Sequence, residues 1–138
     1  MGKIIALDLG DVWTGTAISD ELGLLARPYQ TVKTVSLEEF LEDILKKELI
    51  ELIVIGNPRT MRGTMSEQTK KVHVLKDTLE KKFDMVSLIL WDERLSSKRA
   101  ASGTKKIMTK EEKVVSHSIA AAFILDSYLE YRRIHDSK

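Results

Sequence analysis

The sequence predicts an α/β fold in which an antiparallel meander of three strands leads into parallel crossovers. Three observations carry this. The apolar runs Lys3–Leu9, Leu49–Gly56 and Met85–Trp91 have the length and the Ile, Val and Leu content of buried strands. Helix-like stretches alternate with the later runs, as crossovers require. Between the first run and the strand-like Trp13–Ser19, Asp11 and Val12 are too few for a crossover, so those two strands form an antiparallel hairpin.

Taken in order, Lys3–Leu9 reads as the central strand, Trp13–Ser19 as its hairpin partner and Leu25–Val32 as the third strand. Ser36 with Glu39 three residues on has the capping-box pattern and opens a helix to about Lys47. Leu49–Gly56 is the next strand, ended by Gly56-Asn57-Pro58. A helix from about Ser66 to Lys82 follows, with Val72, Leu75 and Leu79 on one face. After the strand Met85–Trp91 come a short helix over Leu95–Ala101 and a lysine-bearing loop over Ser102–Thr109. A long final helix spans Lys110–Arg133.

At 138 residues the chain is expected to be one domain over 1–138, large enough to bury roughly 68–70% of its unfolded surface. It has no cysteine, which excludes disulfides and thiolate metal sites. No signal-like segment precedes the first strand and no apolar run approaches a membrane span, so a cytoplasmic protein without membrane partners is expected. The net charge of +1 excludes a global basic field, so any nucleic-acid role must rest on local patches.

Asp8 stands inside an apolar run, and an ionised carboxylate there is costly unless something pairs with it. Asp92 and Glu93 follow "SLILW" at the end of another buried run. If those strands are parallel neighbours, the acids emerge at one sheet edge, where open α/β sheets bind ligands. Two carboxylates about 4 Å apart repel by roughly 4 kcal/mol at an effective dielectric near 20. A hard divalent cation, Mg²⁺ or Mn²⁺, turns that repulsion into attraction. Asp8 therefore reads as a metal ligand. A single strand-end acid is more often a turn or cap residue; the joint placement carries the reading.

The stretches "ALDLG....G.AISD", "IVIGNPRTMRGTMSEQ", "LWDERLSS" and "SIAAAFIL" resemble, in order and spacing, the RuvX/YqgF family, over Ile4 to about Leu129. The resemblance implies a ribonuclease H-like fold with a five-stranded mixed sheet, three strands antiparallel and two parallel, flanked by helices. It implies a metal-dependent nuclease. Family members are described as Holliday junction resolvases and as nucleases trimming the 5′ end of the small-subunit ribosomal RNA precursor. Carried over, the acids are Asp8, Glu93 of "DER" and an Asp at the start of the final helix. This chain has His117 at that third position and Trp13 where the family usually carries a basic residue. A neutral imidazole can ligate a metal, though it suits later transition metals better than Mg²⁺, or can serve as a base for water. Catalysis and metal binding are thus expected of Asp8, Glu93 and His117.

From Arg94 to Lys113 lie seven basic residues, Arg94, Lys98, Arg99, Lys105, Lys106, Lys110 and Lys113, against Glu111 and Glu112. A charge run is usually a solvated face. This one joins the second acid to the final helix, so it reads as a phosphate-binding flap. Arg59 and Arg62, in the loop Gly56–Thr64, are further candidate phosphate contacts. The expected partner is nucleic acid, either precursor ribosomal RNA or branched DNA. "LDLGDVWTG" also resembles the first phosphate loop of sugar kinases and actin-like ATPases. Those need two such domains, and no P-loop signature is present, so no nucleotide cofactor is expected. The rival reading is a noncatalytic nucleic-acid-binding protein that lost its third acid, favoured by Trp13 and His117.

Overall fold

A computed structural model describes residues 2–57, 67–92 and 109–136. Its strands are β1 (Lys3–Leu9), β2 (Trp13–Ser19), β3 (Ala26–Lys33), β4 (Ile50–Asn57) and β5 (Ser87–Asp92). Its helices are α1 (Leu37–Lys47), α2 (Glu67–Lys82) and α3 (Lys110–Asp136), with a 3-10 turn over Thr34–Ser36. The strands form one sheet in the order β3-β2-β1-β4-β5. β1–β2 and β2–β3 pair antiparallel, while β1–β4 and β4–β5 pair parallel. This is the five-stranded mixed sheet that the resemblance implied.

The strand period of two sorts β1 between two cores. Ile5 and Leu7 pack with Leu37, Leu41 and Ile44 of α1 and Val72 and Leu79 of α2. Ile4 and Ala6 face the other way and pack with Ala121, Ile124, Leu125 and Leu129 of α3. The same alternation divides β4, with Ile53 and Ile55 toward α1 and α2, and Leu52 and Val54 toward α3. Asp8 continues the row of Ile4 and Ala6, so it belongs to the α3 face. β1 and β5 are parallel but not neighbours: β4 separates them by two strand spacings, about 10 Å.

Several element ends differ from expectation, each for a local reason. β3 begins at Ala26 because the Leu25 N–H is held in a turn, where the Asp20 Oδ1 accepts the N–H groups of Leu24 (2.8 Å) and Leu25 (3.0 Å). Leu25's N–H above all holds the Asp20 carboxyl below its usual range; desolvation opposes it, and Leu24's N–H adds to the lowering. Gly23, at φ +69°, supplies the left-handed step of that turn. Ser36 makes no side-chain cap: it sits in the 3-10 turn with ψ 6°, away from the extended geometry a capping serine needs. Met85 is 97% exposed, because the chain turns over Phe83–Val86 before β5 begins. The predicted helix over 95–101 and nearly all of the predicted loop over 102–109 lie outside the described residues.

α3 carries the capping box that α1 lacks. The Glu112 N–H donates to Thr109 Oγ1 (3.1 Å), and the Thr109 N–H donates to Glu112 Oε1 (3.3 Å). Thr109→Ala is expected to lower the stability by about 1 kcal/mol, read from urea unfolding. An unchanged midpoint would show that the first turn of α3 contributes nothing to folding. Among the described residues, no helix is long and apolar enough to cross a membrane.

Candidate active site at the carboxyl edge of the sheet

The parallel strands β1, β4 and β5 end at one edge, with Asp8 near the end of β1 and Asn57 and Asp92 closing β4 and β5. On β2 the residue opposite Asp8 is Gly15. A Cβ placed on Gly15 would lie 1.9 Å from the His117 carbonyl oxygen and 2.5 Å from the Ser118 nitrogen. The backbone of α3 therefore rests directly on the backbone of β2. A glycine inside a strand often marks such an approach. On the helix side the small Ala121 is buried, but the gap that admits the helix is on the strand.

That approach brings His117 beside Asp8. The Nδ1 of His117 is 3.6 Å from Oδ2 of Asp8, with side chains 34% and 20% exposed. At 3.6 Å this is a charge-range contact rather than a hydrogen bond. The carboxylate thus keeps acceptor capacity and stays open to solvent. Gly10 also lies beside the imidazole, where a Cβ would come 3.3 Å from His117 Cε1. Asp8 and His117 are thus brought side by side.

Asp11, within the β1–β2 reversal, forms an ion pair with Lys71 of α2, 2.6 Å apart. Its hydrogen bond, reinforced by its charge, holds the Lys71 ammonium above the usual lysine range. Both partners are more than half exposed, so the pair contributes little stability. Trp13 starts β2, half-buried. Glu93, Arg59, Arg62, Arg94, Lys98, Arg99, Lys105 and Lys106 lie outside the described residues. Among the described residues, no group of three or more His, Asp and Glu could hold a metal ion. Asp8 and His117 are a pair of donors, one oxygen and one nitrogen. Sequence reasoning missed the groups that hold this turn: Thr34 and Gln68 reach Gly10 and Leu9 across 24 and 59 residues, and Thr14 meets Thr34 across 20.

The chain is 36% identical to a "Putative pre-16S rRNA nuclease" of Rubrobacter xylanophilus, over 94% of this chain and 93% of that protein. It is 35% identical to a protein of the same name from Christiangramia forsetii, over 94% and 98%. Among solved structures it superposes on T. thermophilus RuvC, determined in complex with a Holliday junction substrate, with a TM-score of 0.64. That match covers 97% of this chain and 96% of RuvC at 17% identity, and it shows the shared ribonuclease H-like fold. A family model described as "RuvX: Holliday junction resolvase" matches residues 2–131, and the chain belongs to this RuvX family.

Proposed function

We propose that this chain is a divalent-metal-dependent nuclease that hydrolyses phosphodiester bonds in the precursor of 16S ribosomal RNA. The observation that carries the reading is the Asp8–His117 contact at the carboxyl edge of the central strand. The names of relatives at 36% and 35% identity support the substrate. As such a nuclease it would work in the cytoplasm, as a single domain over 1–138.

In β5, Ile89 and Trp91 pack on the α3 side, the face to which Asp8 belongs. On this reading Asp8, Glu93 and His117 would hold the ion. The mixed donor set of carboxylate and imidazole suits Mn²⁺ better than Mg²⁺. When bound, a divalent cation supplies charge against the phosphate oxygens and a more acidic water. Asp8 supplies the fixed negative charge of the site. His117, when neutral, offers a nitrogen lone pair to ligate or to accept a proton from the attacking water. Arg59, Arg62, Arg94, Lys98, Arg99, Lys105 and Lys106 would neutralise substrate phosphates and fix the strand's register.

The test is cleavage of precursor RNA, single-stranded DNA and four-way DNA junctions with Mg²⁺ and with Mn²⁺, beside Asp8→Asn. The expected result is RNA cleavage that falls at least about a hundredfold in Asp8→Asn, or some 2.7 kcal/mol of transition-state stabilisation. Equal rates for the two forms would remove Asp8 from the site. Cleavage of junctions alone would favour Holliday junction resolution, the activity named by the family description, as a step in DNA recombination. Binding without cleavage would favour the noncatalytic reading that His117 in the third acid's place suggests.

A further inference from the structure

The reversal that joins Asp8 to Trp13 is held from behind the sheet, on the face opposite α3. The Leu9 carbonyl accepts from Gln68 Nε2 at 2.5 Å, and the Gly10 carbonyl accepts from Thr34 Oγ1 at 2.7 Å. The Thr34 N–H donates to the Val12 carbonyl at 2.8 Å. Thr14 Oγ1, fully buried, lies 2.9 Å from Thr34 Oγ1. A threonine hydroxyl has a single proton, and Thr34 donates its own to Gly10, so Thr14 is the donor to Thr34. The chain of hydroxyls therefore has one direction, from Thr14 through Thr34 to the Gly10 carbonyl.

That chain ends against the candidate active site. Gly10 walls the imidazole of His117, and Leu9 directly follows Asp8. Gly10 is also pressed against its own turn: a Cβ there would meet the Trp13 carbonyl oxygen at 2.4 Å. The reversal thus has little slack of its own, and its place is set by Thr34 and Gln68.

We propose that Thr34 is a positioning residue of this site, acting through the Gly10 carbonyl on the orientation of His117 toward Asp8, with Gln68 fixing the Asp8 side through Leu9. The kinetic part of this proposal rests on the nuclease reading; the geometric part does not. Thr34→Val keeps the shape and removes the hydroxyl, so Gly10 loses its donor and Thr14 its acceptor. Thr34→Ser keeps the hydroxyl.

The readout is the imidazole ¹H–¹³C signals of His117 in the metal-free, full-length protein, identified by their loss in His117→Asp. Thr34→Val is expected to move them and Thr34→Ser to leave them near the parent's. In the nuclease assay, Thr34→Val should lower kcat about tenfold or more at unchanged KM, because reacting groups are misplaced and substrate contacts are not. Signals of Thr34→Val that coincide with the parent's overturn the proposal, even if its melting temperature falls. So does a Thr34→Ser shift as large as that of Thr34→Val. If Thr34→Val does not fold, Gln68→Leu must show the displaced signals, and its failure to do so overturns the proposal equally. A parent protein without nuclease activity ends the nuclease reading, while the signal comparison still decides the positioning.

Discussion

Gly15→Ala is expected to detach α3 from the sheet and to cost about 3 kcal/mol or more, beyond the usual range for adding one methyl group. The added carbon would stand 1.9 Å from the His117 carbonyl oxygen and 2.0 Å from its carbonyl carbon. Both are backbone atoms, so no rotamer change relieves the clash. Ordinary contact needs about 3.4 Å, and the helix must lift by about 1.5 Å to give it. Lifting α3 uncovers Ala121, Ile124, Leu125 and Leu129, which close the core over Ile4, Ala6, Ala17 and Val54. It also separates His117 from Asp8. Urea unfolding of parent and variant measures the loss. A variant within 1 kcal/mol of the parent would show that α3 does not lie against β2 at this point.

His117→Asp is expected to make folding and cleavage depend on the metal together. It places a second carboxylate close to Asp8, where a neutral or cationic ring now stands 3.6 Å away. Two carboxylates about 4 Å apart repel by roughly 4 kcal/mol at an effective dielectric near 20, and partial exposure brings the cost below that ceiling. The metal-free variant should therefore melt below the parent. Mg²⁺ should recover the loss, because three oxygen donors suit a hard cation better than two oxygens and a nitrogen. At a hundredfold excess over the dissociation constant, binding adds about 2.7 kcal/mol to the folded state. Mg²⁺-dependent cleavage should rise at least about tenfold, or some 1.4 kcal/mol of transition-state stabilisation. Melting curves and cleavage rates across one Mg²⁺ titration test both halves. A variant that matches the parent in each places His117 outside the metal's reach.

Most of the scaffold could be read from the chain because its signals are local. The bounds of β1 and β2 follow from their apolar and β-branched residues and from a linker too short to cross over. The misplaced ends are where a neighbour outvotes the local pattern. Ser36 has the right partner three residues on, yet a 3-10 turn takes its backbone out of capping geometry. Leu25 looks like a strand residue, but the Asp20 carboxylate holds its N–H in the turn. The candidate site divides the same way. Asp8 announces itself as a charge in a buried run, whereas His117 draws notice only through the resemblance. Gly15 shows that something approaches β2, without saying what. Thr34 and Gln68 carry no local mark at all, since their partners lie 24 and 59 residues away.

The two halves of the Asp8–His117 pair lie far apart along the chain, and that delays their meeting. At about 5–20 residues per second, a ribosome makes His117 roughly 5–20 s after Asp8. In that interval β1, β2 and β4 can pair and α1 and α2 can cover one face, because all of them come earlier. The other face, with Ile4, Ala6, Ala17, Leu52 and Val54, has nothing to cover it until α3 emerges. On the nuclease reading proposed above, the nascent chain is therefore at once inert as a catalyst and adhesive as a surface, the kind of half-covered sheet that chaperones bind. One late docking event ends both conditions.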